Sequence, residues 1–200
     1  MKLLICSFFL VFILAVNGQD PTAICYPPIF QTAYFNLLTE DKGSISVDFN
    51  KQKYVEISSV SGYRYIHDFA NLKSYAIMGE GNFTTCKAYN LQQSQIMYKC
   101  LPPYAKLVSP ATGYLHHVTA ARMYMQTWDI ETESDMISRV SFSVVGGQPY
   151  WPIMSQEYGY HGTTNVYLYL NPTPAVANQT IFTIPTVCTE HTINTRPIIG

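Results

Sequence analysis

Charged side chains are scarce in this chain. Asp, Glu, Lys and Arg make up 12% of its 200 residues, about half the ~25% of an average soluble domain. With 12 basic against 13 acidic side chains and no basic run, the chain lacks the positive stripe that a phosphate backbone demands, which excludes nucleic-acid binding. Helical periodicity is missing too: no window of a dozen residues repeats apolar side chains every 3.6 positions, so helix should be minor. The GxSxG turn of an α/β-hydrolase is absent. Glycine-rich phosphate loops are absent as well, and GEG at 79–81 reads as a turn. Cysteine pairs of the CxxC kind do not occur, which removes a zinc finger.

What the chain does have begins at its N-terminus. After Met1 and Lys2 comes LLICSFFLVFILAV, an apolar run shorter than the ~20 residues of a membrane-spanning helix and of the length of a secretory signal core. Val16 and Gly18 place the cut between Gly18 and Gln19. The expected organisation is therefore a signal peptide over 1–18, one β domain over 19–188 and a flexible tail over 189–200. The mature chain should be secreted, with no transmembrane anchor. Two glycosylation sequons, NFT at Asn82 and NQT at Asn178, fit that compartment and would solubilise a surface poor in charge.

Four cysteines follow the signal segment: Cys25, Cys86, Cys100 and Cys188. An even number in a secreted chain means disulfides, and three connectivities fit four cysteines. A thiolate nucleophile is correspondingly disfavoured.

The rest is a series of short alternating runs. Ile45, Val47 and Phe49 alternate with Ser44, Ser46 and Asp48; Val140, Phe142 and Val144 with Ser141 and Ser143; Val166, Leu168 and Leu170 with Tyr167 and Tyr169; Met123 and Met125 with Arg122, Tyr124 and Gln126. That period of two marks half-buried strands. Further strands are expected at YVEI (54), YRYIH (63), SYAIM (74), QIMYKC (95), YLHHV (114) and IFTI (181), about ten in all. Without crossover helices they must be antiparallel, in a sandwich or an open, curved barrel. His116 and His117 point to opposite faces of such a strand and cannot easily share an ion.

In DIETESD, Asp129, Glu131, Glu133 and Asp135 recur at every second position. An extended backbone would set them on one side, where they could hold calcium or simply form a solvated tip that discourages edge pairing. It is no EF-hand, since the sixth position is Ser134 and the twelfth Val140.

The order CYPP, SISVDFNKQKYVEI, YRYI, FTTCKAY, CLPPYAKL, YWPI, FTIPTVC, running over nearly the whole mature chain, resembles that of the ependymin-related proteins. The resemblance implies a secreted glycoprotein of two stacked antiparallel sheets enclosing a deep apolar cavity. It implies a homodimer, a lipid or other hydrophobic ligand, calcium and extracellular-matrix components as partners, and no enzymatic activity. It also implies that Cys86 pairs with Cys188. The family's usual partner of Cys25 would stand where this chain has Tyr150, so Cys25 is left to Cys100. NFTTC then reads as a wall, with sugar outward at Asn82 and a tether inward at Cys86. Met123, Met125, Phe142, Val144 and Leu168 become candidate pocket residues, the thioethers suiting an adaptable lining. The alternative function is a matrix or adhesive glycoprotein that self-associates through exposed Tyr158, Tyr160, Tyr167 and Tyr169.

Overall fold

The structure, a computed structural model, describes residues 20–79, 81–92, 97–116, 122–131, 136–143, 150–159 and 162–188. The signal segment, the tail over 189–200, His117, Glu133, Asp135, Val144 and Tyr160 lie outside the described residues.

Among the described residues eleven strands are defined: β1 (Ile29–Asn36), β2 (Lys42–Asp48), β3 (Lys53–Ser58), β4 (Tyr63–Asp68), β5 (Lys73–Met78), β6 (Thr85–Asn90), β7 (Lys106–His116), β8 (Arg122–Glu131), β9 (Ile137–Ser143), β10 (Trp151–Gly159) and β11 (Gly162–Thr173). They form a single antiparallel sheet in the order β6-β5-β4-β3-β2-β1-β11-β10-β9-β8-β7, with β6 and β7 at its edges. The antiparallel, mostly β architecture is the expected one. The hydrogen-bonded ladder is continuous, however, so the strands make one open sheet and not two separate ones.

One fully described expected strand, IFTI, is not a strand. IFTI contributes to a 3-10 turn, Gln179–Phe182, because Asn178 Oδ1 accepts from the Thr180 amide at 3.0 Å and from its hydroxyl at 2.7 Å, which caps the turn. In QIMYKC, Gln95 and Ile96 lie outside the described residues, and residues 97–100 contribute an isolated bridge, Cys25 to Cys100. Three strands were not anticipated: β1, β6 and β10. Pro152 hides β10, because proline cannot donate to a ladder; the structure accommodates it at a register shift between Pro152 and Met154. Pro110 and Pro172 likewise fall where the β7/β8 and β1/β11 registers shift. Such bulges bend the strand that carries them and increase its twist.

Four consecutive hairpins on one half of the sheet share one device. At the end of each first strand a polar side chain accepts from backbone amides of the turn: Asn36 from Leu38 and Thr39, Asp48 from Asn50 and Lys51, Ser58 from Ser61, Asp68 from Asn71. Four residues after each cap, the chain turns left-handed at Glu40, Gln52, Gly62 and Leu72. The capping side chains are buried, and the turn amides they accept from belong to exposed residues, so each cap anchors a surface turn to the sheet.

The two faces of this half are closed differently. Val55, Ile66, Tyr75, Ile77 and Ala88 form a buried cluster under the chain that follows β11, through Val176, Phe182 and Cys188. The disulfide from Cys86 on β6 to Cys188 ties that cover down. At the far half, Trp128, Val140 and Phe142 are covered by Ile24, Leu101 and Ala105, where the disulfide from Cys25 to Cys100 joins the two covering segments. Cys86–Cys188 is the pair that the resemblance implies, and Cys25–Cys100 is the pair left once the family's usual partner of Cys25 is missing.

Candidate ligand-binding trough

The remaining face is where a site forms. Across the ladder Phe30 stands beside Val47, Val47 beside Tyr54, and Tyr54 beside His67. Two residues along, Thr32, Ile45, Glu56 and Tyr65 form a second row on the same face. On the other side of β1, Tyr34 stands beside Tyr169 and Asn36 beside Tyr167, and the rows continue to Ser155 and Glu157 on β10. Gly43 is needed here: a Cβ would meet the Ile57 carbonyl oxygen at 1.8 Å and the Tyr34 ring at 3.0 Å.

His67 on β4 and Glu157 on β10 line one cavity of about 230 Å³, together with Ile45, Tyr54, Glu56, Ser155, Tyr167 and Tyr169. Their strands are five steps apart in the sheet order. A flat sheet would separate them by roughly 24 Å at 4.7–4.9 Å per step, far wider than such a cavity. The sheet is therefore curled into a trough with this face inside.

A second chamber of about 190 Å³ adjoins the first and shares Ile45, Tyr54 and Tyr169 with it. Its other walls are Tyr26, Phe30, Val47, Phe49, Met97, Tyr98 and Pro152. Aromatic packing fixes them, with Tyr26 against Phe30 at 5.9 Å and Phe49 at 5.8 Å, and Phe30 edge-on to Trp151 at 6.4 Å. The trough thus has an apolar end and a polar end.

Hydrogen bonds order the polar end. The Tyr54 hydroxyl donates to Glu56 Oε2 at 3.0 Å, Asn165 Nδ2 donates to Glu157 Oε2 at 2.9 Å, and the Ser155 and Tyr169 hydroxyls share a bond of 2.7 Å. Burial pushes the Glu56 carboxyl up; the Tyr34 and Tyr54 hydroxyls pull it back, while the charges of Asp41 and Glu157 push it further up. Burial lowers the basicity of His67, which favours its neutral form. Ser155 is the one hydroxyl in the cavity lining that a hydrolase would use, and its partner is Tyr169, not His67.

Of the candidate pocket residues from the sequence, the described side chains of Met125, Phe142 and Leu168 do not line either chamber. Phe142 is fully buried, 5.0 Å from the Tyr26 ring, as part of the core behind the apolar end. Leu168 pairs with Phe35 and Met154 on the opposite face of β11. Met125 pairs with Ser143 and sits on the face of β8 away from Trp128. Met123 lies on β8 beside Leu115, and its side chain is outside the described residues. The tyrosines of β11, expected on the surface, are the ones inside: Tyr167 and Tyr169 line the trough.

In the acidic run, Glu133 and Asp135 lie outside the described residues, and the other two carboxylates have partners. Both oxygens of Asp129 accept from Arg139, at 2.7 and 2.8 Å, and Tyr158 donates to Asp129 at 3.1 Å. Those hydrogen bonds hold the Asp129 carboxyl below its ordinary range. Glu131 pairs with Lys106. Among the described residues no three His, Cys, Asp or Glu side chains are grouped to hold a metal ion. No helix among them is long and apolar enough to cross a membrane.

No protein-family model matches the chain, and no curated protein matches it.

Proposed function

We propose that the chain is a secreted, non-enzymatic glycoprotein of the ependymin-related kind, which carries an amphiphilic small molecule in the trough. Its hydrocarbon part occupies the chamber walled by Phe30, Val47, Phe49, Met97 and Pro152. The single observation that carries this reading is an apolar chamber adjoining a polar one, with Ile45, Tyr54 and Tyr169 in the walls of both. The two chambers together reach the lower part of the ~300–1,000 Å³ typical of ligand sites. In this reading the curled layers enclose the ligand as stacked sheets would, with the homodimer implied by the resemblance. The two disulfides support an oxidising compartment. Asn178, exposed at the head of a 3-10 turn, keeps its amide nitrogen clear of the capping bonds made by its oxygen, which suits a glycan there. Calcium has no place in the proposal, because Asp129 and Glu131 are already paired with Arg139 and Lys106.

The matrix alternative loses support, since two of its four contact tyrosines, Tyr167 and Tyr169, line the trough. The test is stoichiometric binding of an environment-sensitive alkyl fluorophore to the secreted protein, repeated with Met97→Trp to fill the chamber. One probe per chain, displaced by the indole, is the expected result. A chain that binds no probe at any accessible concentration would sink the carrier reading.

A further inference from the structure

The apolar chamber accounts for a hydrocarbon chain but leaves the polar end without an assigned occupant. That end contains two carboxylates, Glu56 and Glu157, the rings of Tyr54, Tyr167 and Tyr169, and the imidazole of His67, 5.5 Å from the Tyr54 ring. Neither chamber is lined by Lys or Arg. The four ion pairs among the described residues engage Asp48, Asp68, Glu131 and Asp129, so both cavity carboxylates lack a cationic partner. Their hydrogen bonds come from neutral groups, Tyr54 and Asn165.

An anionic head would meet two like charges here and no counter-charge. A cation would meet the reverse: carboxylates to neutralise and several electron-rich rings, the surroundings in which ammonium ions are bound by aromatic cages. Desolvation strengthens such an attraction, because charge interactions grow as the local dielectric falls.

We infer that the polar chamber binds a cationic head group, a protonated amine or a quaternary ammonium, whose alkyl chain enters the apolar chamber. This rests on the carrier reading and adds the sign of the ligand's charge. One source of such a group is an amphiphile; the other is a free small amine.

Calorimetry on the full secreted chain at physiological salt, with four probes, separates the outcomes. Octyltrimethylammonium is expected to bind at least tenfold tighter than octan-1-ol, with octanoate and tetramethylammonium weaker still. Glu56→Gln keeps an acceptor for Tyr54 and Glu157→Gln keeps one for Asn165. Each is expected to weaken the ammonium at least fivefold while leaving octan-1-ol within twofold, a control for folding. Octanoate binding as tightly as the ammonium, or a charge preference that survives both Gln variants, would overturn the inference and leave the carrier reading standing if octan-1-ol binds. Tetramethylammonium matching its octyl derivative would retain the cation site and remove the role of the apolar chamber. Binding of none of the four would end both.

Discussion

Glu40 and Gly62 stand at the same place in two hairpins, each four residues after the side chain that caps the turn, with φ of 58° and 70°. A left-handed backbone costs a side-chain-bearing residue roughly 1–2 kcal/mol, while glycine adopts it freely and loses about 0.5–1 kcal/mol more entropy on folding. Glu40→Gly should therefore stabilise the fold by about 0.5–1 kcal/mol. Gly62→Ala should cost about 1 kcal/mol from conformation alone, because a Cβ there meets nothing within 4 Å. Thermal denaturation of both variants checks the pair, and shifts in the same direction would contradict the hairpin account.

Asp68 separates a buried ion pair from a surface one. It is 1% exposed, accepts from the Asn71 amide at 3.1 Å and its side chain at 3.0 Å, and lies 3.4 Å from Lys53 Nζ. Asp68→Ala removes all three partners and leaves a half-covered ammonium, at a cost of about 2–4 kcal/mol. Asp68→Asn retains the turn cap and should lose less than half of that. Lys106→Ala breaks a pair whose members are 67% and 60% exposed, and should change stability by less than about 1 kcal/mol. Chemical denaturation that ranks Lys106→Ala above Asp68→Ala would refute this ordering.

Much of the sheet is legible from alternation alone, because Ile45 with Val47 and Val140 with Phe142 do face inward. Alternation groups residues by face without saying which face is inside, and that is why β11 is misread. Choosing Leu168 over Tyr167 and Tyr169 assumes that an interior is purely apolar. The trough is a binding face, where the Tyr169 hydroxyl finds Ser155 at 2.7 Å and tyrosine can be housed. The site residues Glu56, Glu157 and His67 carry no spacing signal, since strands distant in sequence bring them together only when the sheet curls. The one available cue was Glu56 within YVEI, an acidic side chain between Val55 and Ile57 in an otherwise apolar strand. Pro152 concealed β10 for a local reason, which a bulge resolves.

The bridge from Cys86 to Cys188 spans 102 residues and fastens the covering segment over Val55, Ile66 and Ile77. A loop of that length is worth about 4–5 kcal/mol in the chain-entropy model and 2–5 kcal/mol when native bridges are removed. The Cys86→Ala, Cys188→Ala double variant should lose stability in that range. It should also expose the chain after Thr173 to proteases before the sheet itself opens. Proteolysis that begins in β3 to β5 instead would show that the cover is not held by this bond.

Tyrosine ionisation gives the trough a signature in pH. Burial raises the phenols of Tyr26, Tyr34, Tyr54 and Tyr169 well above their ordinary value, and pushes Tyr167 up to about 12. Glu56 adds to the rise at Tyr34, Tyr54 and Tyr167, since a nearby negative charge opposes a phenolate. An unfolded tyrosine ionises near pH 10. Between there and the folded values the unfolded chain holds fewer protons than the native one, so stability is intact below about pH 10 and declines as pH rises beyond it. Ultraviolet difference spectra of the 16 tyrosines should show one group titrating reversibly near pH 10 and another ionising only as the near-ultraviolet dichroism collapses. Removing a negative charge with Glu56→Gln should lower the pH at which Tyr54 and Tyr167 ionise while the dichroism is still intact, whereas general destabilisation would move late ionisation and loss of dichroism down together. If all the tyrosines ionise together near pH 10 with the dichroism unchanged, the phenols are solvated and the trough is not closed around them.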